Sequence, residues 1–385
     1  MDDRDVILII GAGIGGLATA LSLQRAGLTV RVYDQAPAFG EIGAGIMLTP
    51  NASRVLIDLG LEKPLAAVGD NPQYSIYRKF DDGTVMQRSP LDDRQTQYGA
   101  PQVHIHRADL HRILLEAVAA NDRNCLFTSH KCVALSQLGD QVHVRFENGV
   151  QISGSALIGA DGARSAVRAS LFGVERPRFT GQVAWRGLVP AAGLPDTVAG
   201  PFSVVWIGPD RHVVQYGVRH GSMINYVAIA ARSTWEEEGW NIPAQVDDVL
   251  REFQGWHPDL CALLAATPPG TCFKWGLFDR EPARVWTKGR ITLMGDAAHP
   301  MLPLMAQGSA MAIEDGCVLA RCLRQLAVEE ALLRYERLRL PRANAIILKS
   351  RAAANLYQSV EGDKSAERQS YVDRVYGYDA TAVAI

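Results

Sequence analysis

Five consecutive apolar residues, Val6-Ile7-Leu8-Ile9-Ile10, stop at a glycine, and an apolar stripe at helical spacing follows at Leu17, Ala20, Leu21 and Leu23. A short, β-branched run of this kind predicts a strand buried on both faces. The stripe predicts a helix with Gly27 at its C-terminal end. A second predicted strand, residues 29–33, closes at Asp34, so residues 6–34 complete one βαβ unit. Residues 140–180 alternate short strands with turns around Gly159-Ala160-Asp161-Gly162. The texture then changes. Residues 203–207, 212–216 and 224–229 are β-rich runs separated by Gly208-Pro209-Asp210 and His220-Gly221-Ser222, a spacing that predicts an antiparallel meander. Residues 291–294 form one more buried strand, ending in Gly295-Asp296, and the chain is predicted mostly helical from Ala310 onward. The pattern implies an α/β nucleotide-binding domain, an inserted antiparallel sheet and a helical tail.

Composition narrows the classes. The 385 residues are 48% hydrophobic and 21% charged with a formal net charge of -2, which argues against disorder and against binding nucleic acid through bulk positive charge. No run approaches the ~20 apolar residues of a membrane span. The start, Met1-Asp2-Asp3-Arg4-Asp5, lacks the basic, apolar form of a secretory signal. Six cysteines show neither Cys-x-x-Cys nor zinc-ligand spacing, so free thiols in a reducing cytoplasm and no metal site are expected.

Gly11-x-Gly13-x-x-Gly16 lies between the first strand and its helix, with Asp34 after the second strand. That context marks a dinucleotide fingerprint. Gly11 permits the tight turn, Gly13 lets backbone approach a pyrophosphate, and Gly16 lets helix pack on strand. Asp34 would accept hydrogen bonds from ribose hydroxyls. The pattern leaves NAD and FAD both open.

Two further motifs follow. Residues 159–168 carry Asp161, Gly162, Ser165 and Arg168, and residues 289–308 carry Gly295-Asp296-Ala297-Ala298-His299, Pro303 and Gly308. An acid at the C-terminal end of a strand in an open α/β sheet sits where ligands bind. In this order and at roughly these separations, the three motifs resemble the FAD-dependent monooxygenases that hydroxylate aromatic rings. The resemblance implies a Rossmann-like FAD-binding domain over 1–180 and 281–345, a β-sheet substrate domain over 181–280 and a helical tail over 346–385. It implies non-covalent FAD, with Asp296 on the ribityl chain, Asp161-Gly162 serving both FAD and the nicotinamide donor, and Arg107 reaching the flavin. His299 is expected to order its loop. A single dinucleotide fingerprint implies that NADH or NADPH binds transiently. The family commonly reads Gly-x-Gly-x-Asn after the proline; here Ala306 and Ala310 stand at the first glycine and the asparagine.

The implied reaction hydroxylates a hydroxylated aromatic or pyridine carboxylic acid with O₂, through a flavin C4a-hydroperoxide, with or without loss of the carboxylate. The salicylate, 3-hydroxybenzoate and 6-hydroxynicotinate monooxygenases are the group it resembles most, and Tyr376-Gly377-Tyr378-Asp379 resembles a C-terminal stretch of that group. The alternative is an epoxidase or hydroxylase of an isoprenoid or polycyclic product. In this family the sheet roofs the flavin. On strand 212–218, His212, Val214 and Tyr216 share one face and Gln215 takes the other, and alternation leaves open which face meets the flavin. His212, with a reference pKa near 6.5, suits a base at neutral pH, and Tyr216 suits orienting a ring substituent. Met47, Pro303, Leu304 and Met305 are expected to line the apolar slot, with Gln215 if its face is the one that counts. Arg186 or Arg219 could hold a substrate carboxylate, although an arginine near a sheet end is usually solvated. The expected partners are the aromatic acid, O₂ and NAD(P)H, without nucleic acid or membrane, in a monomer or homodimer.

Overall fold

The computed structural model describes residues 5–40, 43–91, 93–235, 242–356 and 365–385. Ile7–Ile10 pairs in parallel with Val30–Tyr33 on one side and Ala156–Gly159 on the other. Ile291–Leu293 and Leu126–Phe127 extend this sheet in parallel, and Thr287–Lys288 adds an antiparallel edge. All four residues of the first strand are buried, as its unbroken apolar run requires. The helix Ile14–Arg25 is buried beyond its predicted stripe, with Thr19 and Ser22 also enclosed. The cause is a second layer: the helix Gly308–Gln325 packs over it. Gly15 there lies against Ala312, and Gly316 lies against Thr19.

The meander forms as expected, with strands Phe202–Gly208, Arg211–Val218 and Met223–Ala231. Its sheet is larger than the 181–280 range. Eight strands run in the order Ile242–Pro243, Phe273–Asp279, Arg178–Pro190, Met223–Ala231, Arg211–Val218, Phe202–Gly208, Tyr74–Lys79 and Val85–Pro90. The last two come from the segment assigned to the nucleotide domain, and Tyr74–Lys79 joins through a parallel pairing with Phe202–Gly208. Such a long-range partner leaves no local mark in sequence.

One face of this sheet, with Val204, Trp206, Val213 and Tyr226, is covered by the helices Val246–Glu252 and Pro258–Ala265. The other face carries Ala184, Ile229 and Leu277 and packs against Leu302 and Leu304 of the nucleotide domain. The expected tail begins at residue 346. The helix Val328–Leu356 runs straight across that boundary, and Tyr378, Ala380, Val383 and Ile385 pack onto the nucleotide-domain core. Among the described residues no helix is long and apolar enough to cross a membrane, and no His, Cys, Asp or Glu group could hold a metal. The six cysteines are free thiols.

Candidate active site

Gly11 adopts φ +105, and a Cβ there would lie 2.4 Å from the Ala160 carbonyl oxygen, so the turn after the first strand admits only glycine. A Cβ at Gly16 would fall 2.0 Å from the Gly11 oxygen, which is the close helix-to-loop packing its position predicts. At Gly13, by contrast, nothing lies within 4 Å. The loop is open there, beside the first N–H groups of Ile14–Arg25, a helix with no side-chain cap and no acid in its first turn. Unshielded donors and a positive helix end suit a pyrophosphate. Asp34 turns back on this loop: Oδ2 accepts from Ala12 N at 2.7 Å and Oδ1 from Ala36 N at 2.8 Å. A ribose would use the lone pairs that remain. His111 Nε2 meets the Ala12 oxygen at 2.9 Å, a brace that sequence reasoning missed.

A second helix end reaches the same cleft. The contacts Gly15 to Ala312 and Thr19 to Gly316 advance together, so Ile14–Arg25 and Gly308–Gln325 run parallel with their N-termini side by side. The Gly308 end also lacks a side-chain cap, and nothing lies within 4 Å of a Cβ at Gly308. Just before it, Ala306 takes φ +52. The turn that a glycine would make is therefore kept, at a cost of about 1–2 kcal/mol for an L residue. Ala310 is wholly buried in the core.

Asp296 lies at the head of the short helix Gly295–Ala298, exposed to water yet hemmed in by protein, as a side chain lining an interior cleft would be. Desolvation raises its carboxyl, while the charges of His299 and Arg107 pull the other way. Arg107 and Asp296, 189 positions apart, thus share one electrostatic environment. Arg107 opens its helix with its N–H on the Ala44 oxygen at 2.7 Å.

Asp161 also turns back on its own segment. Its carboxylate accepts from Ser165 Oγ at 2.5 Å, Ala166 N at 2.7 Å and Val167 N at 3.1 Å. Burial raises its carboxyl and these bonds oppose the rise. The side chain braces the helix Ala166–Phe172, and the space beside Gly162 is open. Arg168 donates to the carbonyls of Ala297 and Ala298 at 3.2 and 3.1 Å, tying the second motif to the third.

The register orients the strand. His212 lies opposite Ile207 and Ile229, Val214 opposite Val205 and Val227, and Tyr216 opposite Ser203 and Asn225. Ile229 packs with Leu304, and Asn225 Oδ1 accepts from Gly45 N at 2.7 Å. The His212-Val214-Tyr216 face therefore looks at the nucleotide domain, with Leu302 to Met305 over one part and Gly45 to Met47 over another. Gln215 is corrected out of the pocket: it accepts from Trp206 Nε1 at 3.1 Å and donates to the Val198 oxygen at 2.8 Å, under the helix-covered face. Leu304 is buried, Met47 half-buried and Pro303 exposed.

His212 is enclosed on this face. It is 1% exposed, and burial lowers its pKa to about 4, so it is neutral at pH 7. Burial pushes the Tyr216 hydroxyl well above its usual value, keeping it a donor. The His104 ring packs 4.7 Å from the Tyr216 ring, and burial lowers its pKa to about 3. His104 and Asn225 were both missed. Asn225 was legible in principle, since alternation places it on one face with Val227 and Ile229. Arg219 pairs with Asp109 at 2.8 Å on the surface, and Arg186 is buried beside Phe273 and Trp275.

Residues 3–350 match a family model described as an FAD binding domain. The chain is 38% identical over 392 residues to 3-amino-4-hydroxybenzoate 2-monooxygenase PtnB3 of Streptomyces platensis, covering 99% of this chain and 98% of that one. It is 37% identical over 351 residues to 6-hydroxynicotinate 3-monooxygenase of Bordetella bronchiseptica, covering 90% of each. Among solved structures, it matches Klebsiella pneumoniae HpxO complexed with FAD and uric acid with a TM-score of 0.83 at 27% identity, over 97% and 93% of the two chains. It matches a salicylate hydroxylase substrate complex with a TM-score of 0.82 at 25% identity, over 99% and 97%. The chain therefore belongs to the FAD-dependent monooxygenases that hydroxylate aromatic rings.

Proposed function

We propose that the substrate is a hydroxylated benzoic or pyridine carboxylic acid, hydroxylated with O₂ and a reduced nicotinamide, with or without loss of its carboxylate. One observation carries this reading: the His212-Val214-Tyr216 face is set against the two segments, Gly45 to Met47 and Leu302 to Met305, that border the flavin cleft. Bound FAD, once reduced, supplies the activated oxygen, and the chain's own groups aim and shield the ring. Val205, Val214, Val227, Met47 and Leu304 give the slot apolar walls that exclude water. Tyr216 donates its hydroxyl hydrogen bond to a ring substituent. His212, neutral at pH 7, accepts a hydrogen bond at a ring nitrogen from the substrate hydroxyl and draws electron density onto the ring. The relatives named for 3-amino-4-hydroxybenzoate and 6-hydroxynicotinate support a ring that bears both a hydroxyl and a carboxylate. The test is NADH and NADPH oxidation over a panel of hydroxybenzoates, aminohydroxybenzoates and hydroxypyridine carboxylates, with product masses. At least one member should stimulate oxidation and gain one oxygen. Equal rates with and without every panel member would refute the reading.

A further inference from the structure

Neither the flavin cleft nor the substrate face uses the motif Tyr376-Gly377-Tyr378-Asp379, yet arginines from three helices grip it and its flanks. Arg342, on Val328–Leu356, stacks 3.9 Å over the Tyr378 ring and donates to the Val375 oxygen at 3.0 Å. Arg54, on Pro50–Asp58, donates to the Tyr378 oxygen at 2.8 Å and pairs with Asp379 at 4.0 Å. Arg321, on Gly308–Gln325, donates to the Ala380 oxygen at 2.9 Å.

Arg342 also points inward. Its Nε and one terminal nitrogen each reach Glu314 at 2.8 Å, a fork-to-carboxylate pair. Glu314 Oε1 accepts from Asn51 Nδ2 at 2.6 Å. The same nitrogen donates to Gln307 Oε1 at 3.1 Å, and Gln307 Nε2 donates to Thr49 Oγ1 at 3.0 Å. Glu314, Asn51 and Gln307 are all buried. Burial alone would raise the Glu314 carboxyl, but the charges of Arg339 and Arg342 hold it below its usual range. Gln307 stands between left-handed Ala306 and the open helix end at Gly308. A buried amide has few other partners, so this chain of bonds fixes where that end sits.

We propose that Tyr378 is a positioning residue of the flavin site: packed on Arg342, it fixes Glu314, Asn51 and Gln307 and so sets the loop before Gly308 against the cofactor. The proposal rests on placing the Gly308 helix end at the flavin. Losing the Tyr378 ring frees Arg342 to leave Glu314. Arg339, 2.6 Å from Glu314, still balances that charge, so the core should stay folded.

The test is FAD titration into full-length apo-protein, followed by flavin fluorescence, with melting of the apo-protein as the fold control. Tyr378→Leu and Gln307→Ala should each weaken FAD binding about tenfold. The double variant should bind no worse than the weaker single variant, because both break one chain of contacts. Tyr378→Phe should bind as the parent does, since the hydroxyl has no hydrogen-bond partner among the described residues. Unchanged affinity in Tyr378→Leu, or losses that multiply in the double variant, would overturn the proposal. Should Tyr378→Leu fail to fold, Arg342→Lys replaces it with the same expectation, and parental affinity there overturns the proposal. Parental affinity in Gln307→Ala would show that the helix end is misplaced, and the proposal would fall with it.

Discussion

His299 Nε2 lies 2.6 Å from Asp315 Oδ2, and neither side chain is exposed. The same carboxylate accepts from Gly295 N at 3.0 Å through Oδ2 and meets Arg339 Nε at 2.7 Å through Oδ1. One buried acid thus holds both ends of the Gly295-to-His299 segment, with Asp296 between them. Burial alone would raise Asp315, but His299, Arg339 and these hydrogen bonds hold it far below the usual carboxyl range.

Asp315→Asn should destabilise the apo-protein by about 3–5 kcal/mol at pH 7, because it breaks a buried ion pair and leaves Arg339 with Glu314 as its one carboxylate partner among the described residues. The sign with pH follows from the depressed carboxyl. Its stabilisation is fully present above the unfolded value near 4 and is lost as pH falls toward the folded one. Urea unfolding of parent and variant should therefore differ most at neutral pH and converge in acid. A gap that stays constant down to the acid transition would refute this account.

Gly13 and Gly16 should separate binding from folding. Alanine at Gly16 meets the Gly11 carbonyl oxygen, a backbone atom that cannot move aside, so Gly16→Ala should leave little folded protein. Alanine at Gly13 meets no protein atom within 4 Å, and that residue has φ -70, which alanine adopts without strain. Gly13→Ala apo-protein should unfold within about 0.5 kcal/mol of the parent while binding FAD at least tenfold more weakly. Parental FAD affinity in that variant would remove the open face of the loop from the cofactor site.

The first βαβ unit, the meander and the three motifs were legible because each is coded locally, by period or by glycine and acid spacing. Gln215 and His212 show where that stops. Alternation paired His212 with Tyr216 correctly but could not orient the sheet, because the cover is supplied by residues 246–265 on one side and by Leu302 and Leu304 on the other. The lowering of the His212 pKa is likewise a property of its enclosure. The pairing of 74–79 with 202–207 and the buried link from Asn51 to Glu314 join segments 128 and 263 residues apart, and no single stretch records them.

Asn225 joins the substrate sheet to the flavin side. Its Oδ1 takes the Gly45 N–H, and a Cβ at Gly45 would lie 2.6 Å from the Tyr216 ring and 2.7 Å from Asn225 Cγ. Asn225→Ala leaves that N–H without its acceptor, at a cost of about 1–3 kcal/mol. The strand Gly45–Leu48, which carries Met47, should then drift from the sheet. The expected result is retained FAD binding, a higher KM for the aromatic acid, and more NADH oxidised per product formed. Unchanged coupling between NADH and product would refute a role at this junction.

Acid should act on the protein first through histidines. Burial lowers His104 to about 3 and His212 to about 4, and it also lowers His106. In the unfolded chain each titrates near 6.5. Between about pH 4 and 6.5 the unfolded state therefore binds the extra protons. Stability present above that window should fall as pH drops, by about 1.4 kcal/mol per unit for each histidine that stays neutral when folded. Urea midpoints of the parent should decline across this window, and those of His104→Gln/His212→Gln should decline less. Parallel declines would show that neither ring stays neutral in the fold. The same depression predicts that kcat/KM has no inflection near pH 6.5 that depends on His212. An inflection present in the parent and absent in His212→Gln would show that the ring titrates near neutrality and would overturn the depression.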